Sequence, residues 1–218
     1  MLTRWRNTRG FGVHSPFGFQ IVKRVIKSPG GYAYYAYADI ERCCHNDHTG
    51  KKTAEEAKML LRLTCMVKAD SIFLTPDCPK AFKTALRGAN SKIRFISNPS
   101  RLSGCDIAAI SFPTSPNEAQ VLSNGAKAVA LSDGAEAEAL SDGAEAEAEG
   151  KAAIGPSLNA LKDFISLPEK TLLLKDLPSG WAEKLFDSMK EGIMLLGKRN
   201  AILISRPEMQ KVSYLISI

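Results

Sequence analysis

The stretch of this chain with most chemical potential is Ala69 to Phe82, ADSIFLTPDCPKAF. Its apolar run from Ser71 to Thr75 reads as a short buried strand, followed by a proline-punctuated loop and the start of a helix. In α/β proteins that bind nucleotide-like cofactors, this first strand, loop and helix carry a glycine-rich turn that lets backbone approach the ligand. No glycine stands anywhere in the stretch. Pro76 and Pro79 each fix φ and remove an N–H donor, and Lys80 puts a long side chain where backbone would have to come close. The layout of a cofactor loop is present, and its chemistry is not.

Other reactive side chains are few. His14 is the only histidine outside residues 45–48, which makes it the candidate general base. It also sits beside a helix N-cap, where a structural role is the plainer reading. Cys43, Cys44, His45 and His48 are of zinc-ligand type, but adjacent cysteines seldom both reach one tetrahedral site and no second pair has zinc spacing. A polar loop is expected there and no metal. The five cysteines form no C-x-x-C pair, and an odd number fits reduced thiols.

The elements that must position these groups can be read from periodicity. Ser15 as N-cap and Pro16 at the first helical position open a helix whose stripe is Phe17, Ile21, Val22, Val25 and Ile26. Tyr32, Tyr34, Tyr35 and Tyr37 follow as an aromatic cluster, packing the appendage or lining a cleft. Thr53 and Glu56 form a T-x-x-E capping box for a helix over 53–68, with Met59, Leu60, Leu63, Met66 and Val67 buried. Further strands are expected over 93–97, 106–111, 171–174, 193–196, 201–205 and 212–218. Helices are expected from Ser115, from Ser157 and over 181–190. Strands alternating with amphipathic helices predict an α/β fold, a Rossmann-like three-layer sheet with an antiparallel C-terminal hairpin. We divide the chain into an N-terminal helical appendage, residues 1–52, and a main domain, residues 53–218.

Three near-identical nonapeptides, LSNGAKAVA, LSDGAEAEA and LSDGAEAEA, interrupt that domain at residues 122–149. Asp-Gly or Asn-Gly in each copy breaks what Ala and Glu would otherwise make helical, so a solvated acidic insertion is expected.

The combination G-x-G-V-H-S-P-F at Gly10 to Phe17, an apolar helix, and a tyrosine-rich stretch ending Asp39-Ile40-Glu41 resembles the N-terminal appendage of a bacterial family of class I S-adenosylmethionine-dependent methyltransferases. With gaps, the resemblance runs to the C-terminus. It implies a class I methyltransferase sheet and S-adenosylmethionine as cofactor. The family's first loop resembles I-L-E-L-G-T-S-x-G. Aligned from Ile72, its acidic residue and two glycines fall on Leu74, Pro76 and Lys80, with Asp77 as the nearest substitute carboxylate. The acidic residue that meets the ribose hydroxyls at the end of the second strand is replaced by Ser97 and Asn98. Ser111 replaces the aspartate that helps hold a divalent cation in metal-assisted members, and a hydroxyl is a poor ligand for a hard cation. Of two acidic residues after a later strand, only Asp176 remains, as a candidate catalytic residue or a turn residue.

The losses fall together at ligand-contact positions while helix caps and core periodicity persist. The expectation is a methyltransferase-like protein with an eroded cofactor motif, acting as a non-catalytic binding or interaction module. The alternative is an active methyltransferase acting on oxygen or nitrogen of a small molecule through an atypical loop. Charge bears on partners: residues 1–101 carry 18 Lys and Arg against 7 Asp and Glu, whereas 122–149 carry one Lys against seven acids. A basic half can meet an anionic or protein partner, or be overlaid by the acidic segment. Nucleic acid is the less favoured partner, since Arg4, Trp5, Arg6 and Arg9 mix charge with an aromatic but belong to no binding module. No apolar run approaches the roughly 20 residues of a membrane span, and no secretory h-region follows the basic start, so a cytoplasmic location is expected.

Overall fold

The computed structural model describes residues 13–27, 34–112 and 156–216. The acidic repeats and the helix expected from Ser115 lie outside them. Helix α1, Pro16–Ile21, starts as its sequence demands: Ser15 Oγ accepts from the Gly18 N–H at 3.2 Å. It continues as one π-helical turn, Val22–Ile26. Then come α2 (Tyr34–Asn46), α3 (Lys51–Val67), β1 (Ser71–Leu74), α4 (Lys80–Ala89), β2 (Arg94–Ile96) and a 3-10 helix (Pro99–Gly104). After β3 (Ile107–Ser111) the chain resumes with α5 (Leu158–Ser166), β4 (Thr171–Lys175), α6 (Trp181–Ser188), β5 (Gly192–Leu196), β6 (Ala201–Ser205) and β7 (Val212–Leu215).

The seven strands form one sheet in the order β2-β1-β3-β4-β6-β5-β7. Every pairing is parallel except the two made by β6, which runs against β4 and β5. The expected C-terminal hairpin is β5–β6, and β7 returns as an edge strand parallel to β5. Alternation along each strand divides the core between the two faces. Ile72, Ile107, Leu173, Ile193 and Ile202 pack under α1 to α4, while Phe73, Ala108, Leu172, Met194 and Leu203 pack under α5, α6 and the 3-10 helix. The result is a three-layer α/β arrangement around a mixed sheet, compatible with a Rossmann-like fold.

Two local expectations are corrected. Residues 34–46 are helical where a polar loop was expected from Cys43 onward, because Ile40 and Cys44 are buried against the core and pull the segment onto it, and Tyr37 packs against that core as the packing reading expects. The Thr53–Glu56 capping box does not form. Helix α3 begins at Lys51 behind Gly50, and Glu56 turns inward, where its Oε2 lies 2.8 Å from Lys175 Nζ. Among the described residues, no helix is long and apolar enough to cross a membrane.

Candidate functional site

The chain leaves β1 for the edge strand β2 and then crosses back to β3, so the order of connection reverses between β1 and β3. In open α/β sheets this switch point, outside the carboxyl ends of the strands, is where ligands bind. Here it is made of Leu74 and Thr75 after β1, the turn Pro76-Asp77-Cys78-Pro79, and Ser111 after β3.

Short side chains of the chain itself occupy the gap. The Thr75 N–H donates to the Ala109 carbonyl at 3.3 Å, and Thr75 Oγ1 accepts from the Ser111 N–H at 3.1 Å. Cys78 closes the turn with an N–H bond to the Thr75 carbonyl at 3.0 Å, and its Sγ lies 3.3 Å from Thr75 Oγ1 and 3.6 Å from the Ala109 carbonyl. Thr75 and Cys78 are both buried. Thr75 and Cys78 thereby tie the end of β1 to β3 and fill the space between them, while Pro76, Asp77 and Lys80 of the loop stay exposed.

The floor behind them is filled by charge. Glu56 and Lys175 leave side-chain exposures of 12% and 20%, and neither buried carboxylate oxygen of Glu56 has a well-directed hydrogen bond. The void they border with Met59, Phe82 and Asn200 holds about 10 Å³, at the lower limit for one water of roughly 10–15 Å³. Burial raises the Cys78 thiol above its ordinary pKa, outweighing the Thr75 hydrogen bonds and the Lys175 charge that pull it down. A buried neutral thiol is no nucleophile.

The residues singled out from sequence are scattered around this point. Pro76 and Asp77 are exposed in the turn, and Leu74 is buried in β1. Lys80 opens α4 and reaches Asp47 at 3.3 Å. Ser97 is exposed, and Asn98 caps the 3-10 helix, its Oδ1 accepting from the Ser100 N–H at 2.9 Å. Asp176 follows β4 with φ of 54°; its N–H donates to Asn200 Oδ1 at 3.3 Å and its carboxylate pairs with Arg199 at 3.3 Å. His14 is exposed. Its neighbours face elsewhere: the Ser15 N–H donates to the Tyr214 hydroxyl, and Phe17 lines a cleft at the opposite edge of the sheet. Among the described residues no hydrogen bond or ion pair joins His14 to Asp176, whose partners are Asn200 and Arg199.

That opposite edge, at the amino ends of the parallel strands, was not anticipated from sequence. It holds an open cleft of about 480 Å³ bordered by Phe17, Lys68, Asp70, Glu169, Lys170 and Arg206. Its charged groups are largely used by the fold. Lys170 Nζ donates to the Cys105 carbonyl at 2.7 Å, and the Arg206 guanidinium lies 4.4 Å from the Phe17 ring centre. Lys68 and Glu169 both take positive φ there, and no local sequence signal marks either. Among the described residues, no three His, Cys, Asp or Glu side chains come together as metal ligands, and the Cys43 thiol donates instead to Asp47 at 3.8 Å.

Comparison with protein-family models, with curated proteins and with solved structures gave no match to this chain.

Proposed function

We propose that this chain is a methyltransferase-like protein that does no methyl transfer and works as a binding or interaction module. The observation that carries the reading is the crevice between the carboxyl ends of β1 and β3, stitched by Thr75 and Cys78 and backed by the Glu56–Lys175 pair. Methyl transfer relies on proximity and alignment of donor and acceptor, so it can proceed with few catalytic side chains. It cannot proceed without the donor. A loop with two prolines and no glycine lacks two backbone N–H donors and hinders close approach of backbone to the methyl donor, and Thr75 and Cys78 fill the space between it and β3. Of the remaining candidates, Asp176 is held by Arg199 and Asn200.

The test is calorimetric titration of the folded full-length chain with S-adenosylmethionine and S-adenosylhomocysteine. No heat of binding up to millimolar ligand is expected. Micromolar binding of either would overturn the reading and make Pro76 to Lys80 an unorthodox cofactor loop, with an active enzyme as the alternative to pursue.

A further inference from the structure

From Cys78 to Cys105 the chain runs 28 residues with six Lys or Arg and no Asp or Glu. This stretch folds as α4, β2 and the 3-10 helix, and so forms one whole edge of the sheet with β2 outermost. Lys80, Lys83, Arg87, Lys92, Arg94 and Arg101 are all exposed on it. Among the described residues only Lys80 of the six has an ion pair, to Asp47. Elsewhere Arg42 pairs with Asp39, Lys58 with Glu41 and Glu55, Lys52 and Lys175 with Glu56, and Arg199 with Asp176. Other described cations there are without an ion pair too, so what sets this edge apart is the absence of any acid from its 28 residues. Arg87 also lies 5.7 Å from the ring centre of Phe95, an exposed aromatic on β2. Cations on an edge strand discourage sheets from pairing with one another. That role does not call for positive charge along α4 and the 3-10 helix as well.

The complementary composition is in the same chain. Residues 131–149 contain seven Asp or Glu and no Lys or Arg. We propose that the acidic repeat of residues 131–149 docks on the basic β2 edge of its own chain. The connection permits it. The 20 residues between Phe112, at the carboxyl end of β3, and Asp133 can span at most about 70 Å, while β2 lies two strand spacings, about 10 Å, from β3. Exposed ion pairs are individually weak. Tethering supplies an effective concentration on the order of millimolar, so several weak pairs suffice without a deep pocket. Docking on the β2 edge is independent of whether the β1–β3 crevice takes a cofactor.

Zero-length carbodiimide cross-linking of the full-length chain, read by peptide mass spectrometry on a mixture of nitrogen-15 and unlabelled protein, tests it. The expected links join Lys80, Lys83 and Lys92 to carboxylates of residues 133–149 within single chains. They should fall at least fivefold in 1 M salt, where the screening length drops from about 8 to about 3 Å. The double variant Lys83→Glu, Arg87→Glu, with both sites exposed, should lower the links at Lys92 at least fivefold and leave the circular dichroism spectrum unchanged. Three outcomes overturn the proposal: no links to the repeat, links spread over Lys23, Lys162, Lys184 and Lys211 in proportion to their exposure, or links that mostly join labelled to unlabelled chains.

Discussion

Asp106 shows how one carboxylate fixes two strands. Its Oδ2 accepts from the N–H groups of Asp70 and Ser71, each at 2.9 Å, and from the Ser71 hydroxyl at 2.8 Å; the Asp106 N–H in turn donates to Ser71 Oγ at 3.2 Å. The exchange holds β1 and β3 at their amino ends in the register Ile72 to Ile107. Burial alone would raise the pKa of this carboxyl, but the bonds from Asp70 and Ser71, with the Lys170 charge, outweigh it and hold the group below the ordinary carboxylate range. A carboxyl depressed on folding adds stability above its unfolded pKa and loses it as pH falls through the lower folded value. Asp106→Ala should therefore cost about 2 kcal/mol at pH 7, since three donors lose a charged acceptor at a partly exposed site. Urea unfolding should show the gap from wild type narrowing below about pH 4, the unfolded value. A gap independent of pH would mean that the charge does not act here. The sequence marks Asp106 only as the start of a strand, because its partners lie 35 or 36 residues away.

At the scale of elements, apolar runs were enough to place the strands, and Ala201–Ser205 falls where its composition puts it. What local pattern misses is side-chain direction set by distant partners. Glu56 stands at the right spacing from Thr53 for a capping box, yet Lys175, 119 positions later, draws it inward. Tyr34 to Asn46 has weak helical composition and folds as a helix because the core supplies a surface for Ile40. The candidate crevice was legible as an absence of glycine; that Thr75 and Cys78 would fill it depended on β3 lying alongside. Gly192 makes the same point for a hairpin. It opens β5 with φ of 131°, and a Cβ built there would collide with the Ile204 carbonyl oxygen on β6. Backbone on backbone leaves no flexible atom to yield, and an L-residue at that φ is strained as well. Gly192→Ala should destabilise the fold by about 3 kcal/mol or more, read as a drop in thermal midpoint. A drop no larger than that of an exposed surface substitution would show that β5 shifts to accommodate the methyl group.

The whole molecule depends on its N-terminal segment more than a helical appendage would suggest. Val13, Ile21, Val22, Val25, Ile40 and Cys44 belong to the same core as Leu60, Ile193, Ile204 and Tyr214. Polar contacts follow the apolar ones: Arg62 donates to the Val25 carbonyl at 2.6 Å and to the Tyr37 hydroxyl at 2.9 Å, and Lys58 pairs with Glu41 at 2.7 Å. Ile21, Val22, Val25 and Ile40 are buried to within 1%. At about 1.5–3 kcal/mol for each such side chain, their burial alone is comparable with the net stability of an ordinary domain, about 5–15 kcal/mol. Removing residues 1–52 would also uncover the faces of α3 and β5 on which these side chains rest. A chain of residues 53–218 should consequently show a broad, non-cooperative thermal transition and weakened near-ultraviolet dichroism, while keeping much of its far-ultraviolet signal. Adding residues 1–52 in trans as a separate peptide should restore part of the transition if the packing surface survives. A sharp transition of the truncated chain near the full-length midpoint would instead show that the sheet with α3 to α6 is sufficient and that the segment is held rather than required.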